Sequence, residues 1–396
     1  MKEKMQKSLN YIIAVSLLMA AFFIAVEVVF ISYYNIYKIP FGRVDVDNYF
    51  RIINDFDANQ FFTHMGVYLI ILGLNKFTAP AYVFTFLIPA TAVLFFFSFF
   101  VFMMVFTKDP KFSLVGVVFL MLGTYAAQAF LISAFWAQLY ATIFFMWFVI
   151  FLEYYFLTKN FKAKILALSC FALIALFHLK IAGMILIYLA IRSFIDKKYI
   201  NAVIWTVICA VGFLFNSDVL VSTYVVDVSV VYILVEFLFP AFWAFMLLYM
   251  WFNRKNLQKY EITWFIFFIA MFVVSSKSAL WRPLLTVFPL AVYFVVRLYM
   301  LIDGKFKNRI ACNVLIIFSI LLMLFYTYDV TLFSLNSMLG EMIPGVFPYT
   351  YRDMDPNPFL HMFTKDKNVT INRVTGFVSS LTGQKTETDT VIYGPK

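Results

Sequence analysis

Long apolar runs alternate with short polar breaks along this chain, and the run lengths carry most of its structural information. Hydropathy predicts helices near 9–34, 79–106, 112–132, 136–157, 164–177, 179–195, 199–216, 229–252, 261–275, 283–300 and 310–328. A run of about 20 apolar residues crosses the roughly 30 Å of bilayer hydrocarbon as a helix. The runs are solid rather than alternating, which excludes a membrane β-barrel. The expectation is an all-α polytopic membrane protein with about eleven transmembrane helices. "HLK" at 178–180 interrupts the apolar pattern and predicts a tight hairpin between two short helices. "MGVYLIILGL", 65–74, is too short to span and reads as an interfacial or half-buried helix.

The polar breaks set the orientation. With the N-terminus in the cytoplasm, the cytoplasmic segments hold Lys2, Lys4 and Lys7, Lys108 and Lys111, Lys159, Lys162 and Lys164, Lys197 and Lys198, Arg254, Lys255 and Lys259, and Lys305, Lys307 and Arg309. The short outer turns hold Lys180, then Lys277 and Arg282. That asymmetry follows the positive-inside rule. It also accounts for the net charge of +10, so nucleic acid is not needed as a partner. Composition agrees: 64% of residues are hydrophobic and 13% charged, against roughly 45–50% and 25% in soluble domains. The basic start "MKEKMQKSLN" resembles a signal peptide, but the apolar run behind it is too long for one and reads as a retained span. Residues 1–328 then form the transmembrane domain, with a long first outer loop at 35–78. Residues 329–396 form an extracytoplasmic tail. No repeat of fixed period stands out.

The first outer loop concentrates charge in "FGRVDVDNYFRIINDF", 41–56. Taken as a helix over 46–57, Val46, Tyr49, Phe50, Ile53 and Phe56 form one apolar stripe. Asp47, Arg51 and Asp55 share another face, and Asp45 stands at the N-cap position. The segment is an amphipathic helix lying on the outer membrane surface. Two readings fit the spacing. In one, Asp45 caps the helix and Arg51 pairs with its neighbouring carboxylates. In the other, Asp45 and Asp47 do chemistry, as a general base toward a hydroxyl or as ligands for a divalent cation (Mg2+ or Mn2+) against a diphosphate.

This stretch, with its surroundings, resembles the GT-C-type polytopic membrane glycosyltransferases. The likeness covers about residues 9–328 and rests on "VDVDNYF" in the first outer loop, on "THMGVYLIILGL" with His64 and Tyr68, and on "WRPLLTVFPL" with Arg282 and Pro289. The usual prolines of the second motif are missing. The resemblance implies an enzyme that moves a sugar from a polyprenyl-phosphate carrier to a glycan, lipid or protein acceptor at the outer face of a cell membrane, prokaryotic by this reading. It implies Asp47 or Asp45 as the catalytic general base, with both as metal ligands only if the donor is a diphosphate.

The remaining polar residues are weighed against that background. Arg282 and Lys277 stand where orientation disfavours positive charge, as a clamp on the carrier phosphate or as headgroup anchors. Lys180, beside His178, offers a phosphate contact or an ordinary hairpin cap. His64 and Arg51 complete the candidate substrate-binding set. Glu27 and Glu236 lie within spans, as site residues or as partners of a cation. Asp218 and Asp227 read as loop residues. Trp136, Tyr140 and Trp281 are candidates for stacking on sugar rings. Cys170, Cys209 and Cys312 read as small core residues, and "NVT" at 368–370 is a single glycosylation sequon. No phosphate-cradling glycine loop or His/Cys cluster is present, which argues against ATP-driven chemistry. Two other classes compete: a Wzy- or EpsG-type polysaccharide polymerase, and a transporter or lipid flippase. The carboxylate cluster argues against the first, and span centres nearly bare of charge argue against the second.

Overall fold

The computed structural model describes residues 2–37, 64–74, 76–77, 80–123, 136–215, 241–277, 282–306, 310 and 312–324. The regular elements among them are all helices. They are α1 (Lys2–Tyr37), α2 (Met65–Leu74), α3 (Pro80–Thr107), α4 (Pro110–Gly123), α5 (Trp136–Thr158), α6 (Phe161–Phe177), α7 (Leu179–Ile195), α8 (Tyr199–Phe215), α9 (Ala241–Phe252), α10 (Lys259–Lys277) and α11 (Arg282–Phe306), followed by α12 (Cys312–Leu324). Four contain stretches long and apolar enough to cross a bilayer: Asn10–Val28, Thr85–Thr107, Trp136–Thr158 and Leu285–Gly304. Apolar helices α2, α4, α8, α9 and α12 are shorter as described. The described residues are those of an α-helical protein of membrane type.

The hairpin expected at 178–180 forms around one residue. His178 ends α6 and begins α7, with extended backbone (φ −157°) and its amide donating to the Ile174 carbonyl at 2.8 Å. The expected short helix at 65–74 is α2, with Val67, Tyr68 and Ile71 buried. The three cysteines are free and buried, as expected of core residues. The expected amphipathic helix at 46–57, the loop carrying Asp218 and Asp227, the first part of the run expected at 229–252 and the boundary at 328/329 lie outside the described residues.

The chain forms two compact units. One comprises Met1–Met19, Leu94–Ala127 and Ala137–Met323; the other comprises Ala20–Val93, Gln128–Trp136 and Leu324–Lys396. In the first, α11 is the central element, and α4, α9 and α10 pack directly on it. Of its apolar stretch, 78% is buried, as befits a helix that is hydrophobic all round. Without water to drive association inside a bilayer, such contacts depend on close fit. Gly116 of α4 supplies one: a Cβ there would stand 3.1 Å from the Met103 Cε of α3 and 3.5 Å from Val296 Cγ2 of α11. Helix α7 joins this core to the rest of the unit, packing on α6, α8 and α10.

Helix α8 shows the pattern inverted. Ile200, Val203, Ile204, Val207 and Ile208 recur at helical spacing and are exposed, while Ala202 and Cys209 are buried. Small residues meet the protein and branched apolar residues face outward, as lipid-facing helices require.

Candidate functional site

The residues singled out from sequence fall into three groups. Asp45, Asp47 and Arg51, with Asp218, Asp227, Glu236, Trp281 and the sequon, lie outside the described residues. Lys277 and Arg282 are described as backbone: Lys277 closes α10 and Arg282 opens α11, two helices packed on each other. His64, Lys180, Glu27, Trp136 and Tyr140 are described in full. His64 is half-buried immediately before α2, its carbonyl accepting from the Val67 amide at 3.0 Å. Lys180 is half-exposed in the first turn of α7. Glu27 is 7% exposed, and neither carboxylate oxygen has a hydrogen-bond partner among the described residues. Trp136 is fully buried. Tyr140 stacks on Phe177 with ring centroids 4.7 Å apart. Among the described residues, no group of three or more His, Cys, Asp or Glu is arranged to hold a metal ion.

Just below Arg282 lies a buried polar cluster. Thr286, one turn along α11, faces α5: its Oγ1 is 3.3 Å from Thr142 Oγ1 and 3.5 Å from Gln138 Nε2. Thr142 also donates to the Gln138 carbonyl at 2.8 Å. Three residues further along α11, Pro289 sits inside the helix. Its ring nitrogen carries no hydrogen, so the local ladder loses one bond. Polar side chains and an interrupted ladder therefore meet within two turns of the first residue of α11.

The other end of this unit holds an ionic network that the sequence reading did not anticipate. On α5, Glu153 is 2% exposed at its side chain; on α7, Arg192 is 6% exposed. They form a fork: Arg192 Nε donates to Glu153 Oε1 at 3.0 Å and Nη2 to Oε2 at 2.9 Å. The Tyr188 hydroxyl donates to Glu153 Oε1 at 3.0 Å and accepts from Trp264 Nε1 at 3.1 Å. Arg192 Nη1 continues to Asp196 at 3.1 Å, and Asp196 accepts from Lys259 Nζ at 3.0 Å. The result is an alternating chain of two cations and two anions joining α5, α7 and α10.

A second centre adjoins it. Glu261, fully buried in α10, accepts from the hydroxyls of Tyr249 (2.6 Å) and Tyr293 (2.9 Å). Its Oε2 accepts from the Gln258 backbone amide at 2.9 Å, the reach-back of a capping box that starts α10. Arg297 of α11 lies 3.5 Å from Glu261 Oε1 and donates to the Tyr249 hydroxyl at 3.3 Å. Trp264 bridges the two centres, its ring edge-on to Tyr293 at 4.9 Å. Glu153 and Glu261 thus each have a cation plus a hydroxyl or amide, which is the condition under which buried charge is tolerated. Among the described residues, the buried ion pairs lie at the opposite end, about 22 Å along α11 from Arg282 at 1.5 Å per residue.

Charged residues inside the runs "IFLEYYF", "YLAIRSF" and "FVVRLYM" were the available signal for these partners. No family model, curated protein or solved structure matches the chain.

Proposed function

We propose that the protein is an integral-membrane glycosyltransferase that moves a sugar from a polyprenyl-phosphate carrier to an acceptor at the outer face of its membrane, by inverting displacement. In this reading the N-terminus is cytoplasmic, the chain crosses about eleven times, and the first outer loop carries the chemistry. Asp47, with Asp45 beside it, removes the proton from the acceptor hydroxyl, and that oxygen attacks the anomeric carbon. The carrier phosphate leaves, its charge met by Arg282 and Lys277, while His64, Arg51 and Lys180 contribute contacts at the outer rim. Most of the acceleration comes from positioning and from stabilising the leaving phosphate. A divalent cation between Asp45 and Asp47 belongs only to the diphosphate version of the donor.

The observation that carries this reading is the pairing of cation and polar cluster at one end of α11. Arg282 opens the helix, and Thr286, Gln138 and Thr142 form a buried polar patch one turn below it. Hydroxyl and amide groups one turn from the residue that opens α11 suit a phosphate whose lipid tail remains in hydrocarbon. Among the described residues, the buried ion pairs lie at the far end of α11.

The test uses the full chain in lipid nanodiscs with a polyprenyl monophosphate as probe. Arg282→Gln should weaken binding about tenfold or more, the worth of a charge-assisted contact. Asp47→Asn should leave binding intact and abolish transfer from a radiolabelled polyprenyl-phosphate hexose. Wild-type protein that does not bind the probe, or full transfer by Asp47→Asn, overturns the proposal.

A further inference from the structure

Two turns in this chain are copies of each other. Thr107-Lys108-Asp109 joins α3 to α4, and Thr158-Lys159-Asn160 joins α5 to α6. In each, the threonine hydroxyl donates to the carbonyl four residues back, at 2.7 Å to Met103 and 2.8 Å to Tyr154. The lysine amide then bonds to Met104 or Tyr155. The next amide donates to the threonine oxygen at 3.3 Å in both. Finally Asp109 or Asn160 caps the following helix, accepting from the amide two residues on at 2.9 Å in both. The lysine at the pivot is left-handed each time, with φ 56° at Lys108 and 58° at Lys159. A third left-handed lysine, Lys197 (φ 61°), pivots between α7 and α8. These three are the positive-φ residues other than glycine among the described residues.

A left-handed helix terminus is ordinarily glycine, because a side chain is strained there. Three lysines in that position mean that something about lysine offsets the strain. All three turns lie at one end of the larger unit. Phe106, two residues before Lys108, packs on Tyr260 and Trp264 near the start of α10. Lys259, also there, pairs with Asp196, the residue before Lys197. Lys159 Nζ and Lys198 Nζ stand 5.7 and 5.9 Å from the same Phe156 ring. Lys108, Lys159 and Lys197 are exposed, and none pairs with a described carboxylate. An exposed apolar side chain stands within three residues of each along the chain: Val105 before Lys108, Phe161 after Lys159, Ile200 after Lys197.

We propose that these turns are a docking surface for anionic glycerophospholipids of one leaflet, each left-handed lysine meeting a headgroup phosphate while the neighbouring apolar residue meets an acyl chain. A ligand that places phosphate beside hydrocarbon fits the paired surfaces, and a water-soluble phosphoester uses half of them. The competing account is that the lysines merely complement the helix macrodipole, in which case their effect does not depend on the lipid.

The experiment follows the unfolding midpoint of the full chain in neutral detergent with a thiol-reactive dye, on adding phosphatidylglycerol or phosphatidylcholine. Wild type should show a rise specific to phosphatidylglycerol. The triple variant Lys108→Gly, Lys159→Gly, Lys197→Gly should match or exceed wild type in detergent alone, because glycine relieves the strain, yet lose more than half of that specific rise. The triple Lys→Arg variant should keep it. If the triple glycine variant does not fold, each single variant should lose part of the rise. An undiminished rise in the glycine variants overturns the proposal, as does wild type with no specific rise. So does an equal rise with glycerol 3-phosphate, or a loss of stability that is the same in both lipids and in detergent alone.

Discussion

Replacing Arg192 with Met tests whether the ionic network holds this end of the bundle together. The substitution keeps much of the side-chain length and removes the charge. It strands Glu153, 2% exposed at its side chain, with the Tyr188 hydroxyl alone. Asp196 fares better, because Lys259 still reaches it at 3.0 Å. Two unit charges about 4 Å apart interact by about 4 kcal/mol at an effective dielectric constant near 20. Breaking one partner out of a buried pair costs about 3–5 kcal/mol in measured cases. The expectation for Arg192→Met is therefore a loss of about 3–5 kcal/mol, or roughly two to nearly four orders of magnitude in the folding equilibrium. Adding Glu153→Leu removes the stranded charge. What remains is a Tyr188 hydroxyl that still accepts from Trp264 but has lost its own acceptor, a cost of about 1–2 kcal/mol. The double variant should thus be more stable than Arg192→Met alone. The assay is reversible unfolding in mixed dodecyl sulfate micelles, followed by helical circular dichroism, as a double-mutant cycle. A loss below about 1 kcal/mol for Arg192→Met, or a double variant equal to the sum of the singles, would refute the reasoning.

Two further perturbations report on the neighbouring contacts. Glu261→Ala removes the acceptor shared by Tyr249, Tyr293 and the Gln258 amide and leaves Arg297 uncompensated. It should cost about 3 kcal/mol or more, with Glu261→Gln costing less because an amide oxygen still accepts from one tyrosine. The three buried free cysteines provide the readout, since a fluorogenic thiol dye reaches them on unfolding. Gly116→Ala requires Met103 to yield by a few tenths of an ångström and should cost under about 1 kcal/mol. Gly116→Leu forces α4 away from α3 and α11 and should cost about 1–3 kcal/mol in the same assay.

Helix positions were legible in the sequence because hydropathy reports them directly. The run predicted at 179–195 coincides with α7, and those at 136–157 and 199–216 differ from α5 and α8 by a single residue. The hairpin at His178 was legible because one polar residue interrupts two apolar runs. The partners of Glu153 and Glu261 were not. Arg192 lies 39 positions from Glu153, two helices away. Which faces meet depends on the rotation of α5, α7 and α10 about their axes, and aromatic residues on nearly every face erase the periodicity that would show it. The paired turns escaped for another reason. Thr-Lys-Asx recurs once rather than at a fixed period, and its meaning lies in a backbone angle that composition does not carry. Of the candidate site, the sequence supplied the residue types, while the polar cluster of Gln138, Thr142 and Thr286 needed α5 and α11 side by side.

The central place of α11 has a bearing on biosynthesis. Ribosomes release a chain from its N-terminus, so α4, α9 and α10 enter the bilayer before the element they all grip. Until residue 297 emerges, the carboxylate of Glu261 waits in the membrane without its guanidinium counter-ion. Nascent intermediates of this protein are therefore half-assembled for most of translation, a window in which insertion chaperones would shield them and quality-control proteases would find them.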